Sequence, residues 1–159
     1  MTGDTSYLSS YATEAMEWTR NAASRDSLNY IMWLKDTLTI DAKSEKIVLF
    51  HESPKNFPEY IFPEDVTSDL LSNINGDILV LGHTHIPFVM DYGTRGLVMN
   101  PGSVGQPRDG NPDASFAVLE TVTREVKFKR IKYDIEKVIR DMLKAYLPKE
   151  LAYRLRAGR

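Results

Sequence analysis

The chain has 159 residues, a length that suits one compact domain, and its 42% hydrophobic and 26% charged residues are ordinary for a folded globular protein. A formal net charge of −2 without a long basic run excludes the electrostatic signature of a protein that binds duplex nucleic acid. The chain has no cysteine, which excludes disulfides and thiolate metal sites.

The sequence also lacks a recognisable targeting or membrane segment. Residues 1–10 are polar and do not contain the apolar region of a signal peptide. The apolar runs at residues 47–50 and 78–81 are far too short to cross a bilayer. Since we find neither a repeat nor a flexible linker, residues 1–159 are predicted to form a single domain. Since we find neither a signal peptide nor a membrane segment, the protein is predicted to be cytoplasmic and to have no membrane partner.

Two helices are predicted at the start of the chain. Ser9 or Ser10 is placed to cap the first helix, and Ser24 is placed to cap the second. Apolar residues recur at helical spacing in the first helix at Tyr11, Ala15, Trp18 and Ala22. The predicted inner face of the second helix holds Leu28, Ile31 and Leu34.

A β-α-β unit is predicted next. Residues 37–41 alternate as a half-exposed strand does, and residues 47–50 are continuously apolar, as in a strand buried on both faces. Pro63 favours the start of a helix, which Asn75-Gly76 would end. The apolar side of that helix is predicted to hold Val66, Leu70 and Ile74. Residues 78–81 predict a second buried strand, which such a unit places parallel to the first in one sheet.

Short strands and two further helices complete the predicted fold. Segments separated by glycines predict strands at residues 87–91, 97–100, 116–120 and 126–133. An apolar stripe at helical spacing predicts a helix over residues 135–146, and Pro148 starts a last short one. The predicted fold class is therefore mixed α/β, with a mostly buried sheet and helices outside it.

All three histidines of the chain follow predicted strands. His51 comes after residues 47–50, and His83 and His85 come after residues 78–81. If these parallel strands are neighbours, their ends lie about 5 Å apart. Ligands of open α/β sheets bind beyond those ends, so two imidazoles can converge there on one ion.

The segment Gly82-His83-Thr84-His85 extends this pattern. In an extended backbone His83 and His85 would point to the same side, and Gly82 would allow a close approach of the backbone. Imidazole suits zinc, copper, iron and nickel and is accepted by manganese. The alternative for each histidine is a hydrogen-bonded core residue, and the spacing alone leaves both interpretations open.

Longer segments around the histidines carry a family resemblance. They are Val48-Leu49-Phe50-His51-Glu52-Ser53-Pro54, Gly82-His83-Thr84-His85 and Asn100-Pro101-Gly102-Ser103-Val104-Gly105-Gln106-Pro107-Arg108. These segments resemble the C-terminal half of calcineurin-like metallophosphoesterases, in the small microbial phosphodiesterase-like branch. The opening segment at residues 2–5 and the helix after it resemble the region that follows the Asn-His-Asp motif of that family. The resemblance implies a β-sandwich flanked by helices, in α/β/β/α order.

The resemblance also implies a site with two metal ions. His51 and His83 would bind one divalent ion and His85 the other, and the ions would be manganese, zinc, iron or nickel. Two ions about 3.5–4 Å apart activate water and neutralise the charge of a phosphoryl group. The implied activity is hydrolysis of a phosphomonoester or a phosphodiester, so a phosphate ester is the expected substrate.

The sequence departs from the family pattern in two respects. It contains no Asp-x-His, bridging Asp or Asn-His-Asp motif, so the chain is expected to be the C-terminal part of the domain without its opening strands. Hydrolysis would then require the N-terminal half from elsewhere, and the chain alone would bind metal weakly. Glu52 stands where relatives usually have glycine. Its carboxylate could be an extra metal ligand, could block the phosphate, or could simply be solvated.

The loop after residues 97–100 holds candidate substrate contacts. Backbone N–H groups around Gly102 and Ser103 could cradle a phosphate, and Arg108 could bind it through two hydrogen bonds. The alternatives are a structural loop that supports the histidines and an ordinary surface arginine. A rim for a substrate base, or a cover for the sheet, is predicted at Phe57, Tyr60 and Phe62.

Two alternatives to a hydrolase remain at this stage. A retromer subunit that resembles the same fold works as a scaffold, so the chain could be a non-catalytic interaction module. An uncovered sheet edge would then bind a partner or a second copy. The other alternative is one closed structural metal site, with ligands from His51, His83, His85 and Glu52.

Overall fold

The computed structural model describes residues 9–56 and 58–159. The sequence predictions for residues 2–5 and for Phe57 lie outside those ranges. Within them, none of the helices is both long and apolar enough to cross a membrane.

The described residues form two compact units. The first unit contains residues 9–35 and Asp134–Ala157, and the second contains Asp36–Tyr133 with Gly158–Arg159. The first unit is helical, and the second holds every strand of the described residues. Helices and two sheets together confirm the predicted mixed α/β class.

The first two helices begin where the serines predict. Helix α1 spans Ser10–Ala22, and the Ser9 hydroxyl accepts a hydrogen bond from a backbone N–H of its first turn. Helix α2 spans Arg25–Trp33, and the Ser24 hydroxyl does the same there. Each cap satisfies an N–H group that has no partner within the helix, which fixes the start of the helix.

The predicted inner face of α2 is wrong. No residue of α1 or α2 is buried. Ile31 is 39% exposed, and Leu34, which lies beyond the end of the helix, is 56% exposed. Helical spacing indicates which side chains share a face, but it does not indicate whether another element covers that face.

The last two helices form a small core of their own. Helix α3 spans Ile135–Lys144 and is capped by the Asp134 carboxylate, and α4 spans Lys149–Tyr153. Their buried cluster consists of Ile139, Ala152 and Leu155. Tyr146, predicted on the apolar stripe, lies beyond α3 with a φ of 58° and is 90% exposed.

The larger sheet has five strands in the order β1-β2-β3-β5-β4. They are β1 (Thr37–Ala42), β2 (Glu45–Phe50), β3 (Ile78–Val80), β4 (Phe88–Asp91) and β5 (Leu97–Asn100). Strands β2, β3 and β5 are parallel, which confirms the predicted pairing of residues 47–50 with residues 78–81. The edge strands β1 and β4 run antiparallel to their neighbours. The carboxyl ends of the three central strands therefore meet at one edge of the sheet.

The connection between β2 and β3 is not the predicted α-helix. It contains two 3-10 segments, Pro63–Asp65 and Ser68–Asn73, separated by extended residues. Those residues are Val66, with φ −73° and ψ 121°, and Thr67, with φ −128° and ψ 160°. Both are β-branched, and such residues favour extended backbone over helix. The apolar residues Val66 and Leu70 are nevertheless buried, as the periodicity predicts.

Side chains cover both faces of the central strands. On one face Leu79 and Val98 pack with residues of the 3-10 segments, among them Leu70. On the other face Ile78 and Leu97 pack against a second sheet, which has two antiparallel strands. Those strands are β6 (Ala114–Leu119) and β7 (Val126–Ile131). Ile78, Leu79 and Leu81 are thus buried as predicted, whereas Val80 is half-buried. In β2 only Val48 is buried.

An ion pair connects the two sheets. Arg124, in the turn between β6 and β7, donates Nε and Nη2 to the Glu45 carboxylate at 2.9 and 3.0 Å. Its Nη1 donates to the Gly93 carbonyl at 2.7 Å. Only 23% of the Arg124 side chain and 11% of the Glu45 side chain are exposed. The two-pronged geometry and the low exposure distinguish this pair from an ordinary surface salt bridge.

We expect Arg124→Ala to lower the free energy of unfolding by about 2 kcal/mol, because hydrogen bonds to charged groups contribute about 1.5–3 kcal/mol. Urea unfolding followed by circular dichroism measures the effect. The matched control is Lys127→Ala, which removes the Lys127–Glu125 pair, in which 59% and 57% of the side chains are exposed. That change should cost less than about 1 kcal/mol. Equal losses in the two variants would contradict a special role for the Arg124 pair.

Candidate metal centre

The ends of β2 and β3 bring two histidines together. His51 directly follows β2, and His83 lies in the turn that follows β3. Their ring centroids are 5.3 Å apart in an edge-to-face arrangement. The two strands are parallel neighbours, so their ends open into the same crevice, where α/β sheets bind ligands.

A carboxylate completes this group. Each of His51, Glu52 and His83 offers a ligand atom within 4.8 Å of the other two. Glu52 Oε1 lies 3.9 Å from His83 Nδ1. Glu52 Oε2 and His83 Nε2 are buried and have no hydrogen-bond partner among the described residues. Buried polar atoms without a partner are costly, and a cation bound here would supply the missing interaction. Two imidazoles and one carboxylate fit a divalent metal ion.

Burial and nearby charges keep His83 neutral. Burial, followed by the charges of His51, Arg108 and His85, lowers the pKa of His83 to about 4. A neutral imidazole at neutral pH has the lone pair that a metal ligand needs. Burial raises the pKa of the Glu52 carboxyl, and the nearby His51 partly offsets that effect.

The backbone of the histidine turn is left-handed and not extended. The φ angles are 63° at His83 and 60° at His85. The prediction that an extended backbone points both side chains to one side is therefore wrong. Histidine is among the residues that adopt this conformation more readily than most. His85 is not part of the ligand group formed by His51, Glu52 and His83.

A main-chain carbonyl orients His85. Its Nδ1 lies 2.8 Å from the carbonyl oxygen of Gln106, which can only accept, so Nδ1 carries the proton. Histidines that bind metals through Nε2 commonly make this contact, because it fixes both the tautomer and the ring orientation. Metal binding by His85 itself stays a prediction.

Asn100 connects the histidine turn to the loop after β5. Its side chain is fully buried. Nδ2 donates to the Gly82 carbonyl at 2.6 Å and to Thr84 Oγ1 at 3.1 Å, and Oδ1 accepts from the Gly102 N–H at 2.9 Å. One amide side chain therefore holds both segments in place.

In that loop, the Ser103 hydroxyl forms hydrogen bonds with backbone groups of the loop itself. Ser103 Oγ accepts from the N–H groups of Gly105 and Gln106 at 3.3 and 3.0 Å. Gly102 has a φ of 81°, and a β-carbon there would lie 2.7 Å from Ser115 Oγ. These contacts fit a structural loop that supports the histidines. Substrate contacts by Gly102 and Ser103 stay a prediction.

Arg108 is held close to the histidines. Its Nε and Nη2 donate to Gln106 Oε1 at 3.2 and 2.8 Å, and its backbone N–H donates to the His85 carbonyl at 3.2 Å. Its charge is among those that lower the pKa of His83. A half-buried guanidinium held at this point suits an anionic ligand, and its contact with a substrate stays a prediction.

Aromatic rings lie beside His83. The Tyr60 ring centroid is 3.9 Å from that of His83, and the Phe62 ring stacks on Tyr60 at 5.9 Å. The sequence predicts an aromatic rim here. It does not predict that Tyr60 contacts a candidate metal ligand, because that contact depends on how the long β2–β3 connection folds back. The sequence offers a loop that supports the histidines as one interpretation, but it does not identify the individual contacts of Asn100 and Gln106, because buried and main-chain hydrogen bonds leave no spacing signal.

Replacing Gly82 by alanine should weaken metal binding. A β-carbon at this position would lie 3.1 Å from His51 Nδ1 and 3.2 Å from the His51 carbonyl oxygen, so His51 would have to shift from its present position in the ligand group. We expect a loss of about 10-fold in manganese affinity, similar to the loss caused by removing an orienting contact. Isothermal titration calorimetry measures it. The control is Gly105→Ala, since a β-carbon there meets nothing within 4 Å. A Gly82→Ala variant that binds as tightly as this control would contradict the predicted role.

Comparison with known proteins places this site in a family. The sequence model of the calcineurin-like phosphoesterase superfamily domain matches residues 18–124. An uncharacterized protein of Methanocaldococcus jannaschii is 32% identical over 170 residues, which cover 96% of this chain and 68% of that protein. The chain thus spans about two thirds of that relative.

Solved structures agree with the sequence match. The crystal structure of a metallophosphoesterase from Sphaerobacter thermophilus superposes with a TM-score of 0.79 at 30% identity, over 96% of this chain and 71% of that one. A hypothetical protein from Pyrococcus horikoshii has the same fold, with a TM-score of 0.83 at 23% identity over 99% of this chain and 66% of that one. With a family match over most of its length and a relative above 30% identity, this chain belongs to the calcineurin-like phosphoesterase superfamily.

Proposed function

We propose that this chain provides the histidine ligands of a metal-dependent phosphoesterase that hydrolyses phosphomonoesters or phosphodiesters. The observation that carries the proposal is the ligand group of His51, Glu52 and His83, whose buried Oε2 and Nε2 atoms have no hydrogen-bond partner among the described residues. This group would hold one divalent ion, namely manganese, zinc, iron or nickel. His85 would hold a second ion, since Gln106 orients its ring as in metal-binding histidines.

The residues around the centre have separate tasks in this proposal. When bound, the ions lower the pKa of water and neutralise charge on the phosphoryl group. Asn100 keeps the histidine turn in place through its bonds to Gly82 and Thr84. Arg108 holds a positive charge near His83, where it would orient the phosphate of the substrate.

The remaining metal ligands would come from residues outside this sequence. The 159 residues contain no Asp-x-His or Asn-His-Asp motif, and neutral imidazoles alone do not offset the charge of two divalent ions. A further polypeptide segment would therefore supply the bridging carboxylate. Full hydrolytic activity is proposed for the complete site, and partial metal binding for this chain.

Metal titration and turnover test the proposal together. Manganese binding to the metal-free protein is measured by calorimetry, and hydrolysis by the release of nitrophenol from a nitrophenyl phosphodiester. We expect at least one bound ion, slow or no turnover by this chain, and restored turnover when the missing segment is added. If neither manganese nor zinc binds, the metal-dependent function is wrong.

A non-catalytic interaction module is the second candidate function. It is favoured by a run of exposed apolar residues in and just beyond α2, whose exposed fractions range from 39% to 86%. The run consists of Tyr30, Ile31, Met32, Trp33 and Leu34. Exposed apolar surface of this kind marks interaction sites, so this function predicts an oligomer without metal. A metal-free monomer in light scattering would contradict it.

A further inference from the structure

Two aromatic rings extend the candidate metal centre toward solvent. The Tyr60 ring lies over His83 at 3.9 Å with a tilt of 32°, and the Phe62 ring follows at 5.9 Å from Tyr60 with a tilt of 12°. Tyr60 is 46% exposed and Phe62 is 37% exposed. Rings that only covered the sheet would be buried, as Ile61 between them is at 8%. The two rings continue a stack that begins at a candidate metal ligand, His83, and ends at Phe62; this stack is called the aromatic platform.

The backbone segment that carries the aromatic platform is held in place by contacts within the protein. Ile61 anchors the segment because it belongs to the main core cluster of the sheet. Phe62 has extended backbone, with φ −80° and ψ 161°. Its N–H donates to Asp65 Oδ2 at 3.3 Å, and its carbonyl accepts from the Asp65 N–H at 2.9 Å. A rigid surface loses little conformational freedom on binding, which favours affinity.

We propose that Tyr60 and Phe62 bind the planar aromatic group of a phosphate ester, such as a nucleobase, next to the metal centre. The proposal rests on the proposed phosphoesterase function, which places the phosphate of the same ligand beside His83. Aromatic stacking requires only a flat π face, so this surface selects for an aromatic ester over an alkyl or sugar ester without selecting one base. The substrate class is therefore nucleotide-like.

Adenosine monophosphate and ribose phosphate test the proposal, because they share the phosphate and the sugar and differ in the base. Calorimetry measures both affinities in the presence of manganese and in its absence. We expect adenosine monophosphate to bind about 5-fold to 100-fold more tightly, as expected for one stacked base. Phe62→Leu should remove most of that preference and leave manganese affinity unchanged, because Phe62 does not belong to the ligand group.

A matched control tests whether the location of the ring matters. Phe116 is exposed to a similar extent, 39%, but lies on β6 of the second sheet, and Phe116→Leu should keep the preference. Tyr60→Phe keeps the ring and should also keep the preference. Equal affinities for the two ligands, undetectable binding of both, or a preference that survives Phe62→Leu would overturn the proposal. Failure of the phosphoesterase function looks different, since metal binding would then be missing while a preference for the base could still be measured.

Discussion

Replacing His83 by asparagine should remove most of the manganese binding of the protein. His83 lies near both of the other candidate ligands, with its ring 5.3 Å from that of His51 and its Nδ1 3.9 Å from Glu52 Oε1. Loss of a group that only orients a ligand already costs about 10–100-fold in metal affinity, so loss of the ligand itself should cost more than about 100-fold. Calorimetric titration of the metal-free protein with manganese gives the affinity directly.

Two further variants make the result specific. His85→Asn removes the histidine that lies outside the ligand group. This variant should therefore bind the ion held by His51, Glu52 and His83 nearly as well as the wild type does. Glu52→Gln keeps the size of the side chain and removes its charge, so it should weaken binding, because the Glu52 carboxylate is buried within the ligand group. Wild-type affinity in His83→Asn would show that the metal binds elsewhere in the chain.

Asn100→Asp should destabilise the protein by about 3 kcal/mol, because it leaves a buried polar network incompletely bonded. The aspartate keeps an acceptor for the Gly102 N–H but loses the NH₂ group that donates to the Gly82 carbonyl and to Thr84. It also introduces a carboxyl group at a position with 0% exposure. Urea unfolding followed by circular dichroism measures the loss of stability.

The same variant should weaken manganese binding, since the turn that holds His83 loses its support. Asn29→Asp is the matched control, because it makes the same chemical change at an exposed position of α2. Its free energy of unfolding should change by no more than about 0.5 kcal/mol. A stable Asn100→Asp protein with wild-type affinity would indicate that the Asn100 bonds do not position the histidine turn.

The elements that the sequence predicts well are those with a local physical signal. The serine caps define the starts of α1 and α2, and continuous apolar runs predict the parallel pair β2 and β3. From strand ends alone, His51 and His83 could be expected to converge, and they do. Each of these inferences depends on hydrogen bonding or periodicity within a short segment.

The predictions that fail depend on what surrounds a segment. The apolar side of α2 has the right spacing but is exposed. Burial requires another element to cover that side of the helix, and the spacing of the apolar residues does not show whether one does. The β2–β3 connection breaks at Val66 and Thr67, where β-branched residues favour extended backbone over the helix that the apolar spacing suggests. The left-handed turn at His83 and His85 depends on support from Asn100, which follows a different strand.

The position of the tryptophans decides what intrinsic fluorescence reports. The chain has two tryptophans, Trp18 in α1 and Trp33 in α2, and both belong to the helical unit. They are 41% and 86% exposed, and the environment of Trp18, which is partly covered, changes most when the helical unit unfolds. Indole emission therefore follows the helical unit alone, while far-UV circular dichroism follows the backbone of both units. Coincident unfolding curves from the two signals would show that the units melt as one cooperative domain, and separate curves would show that they melt independently.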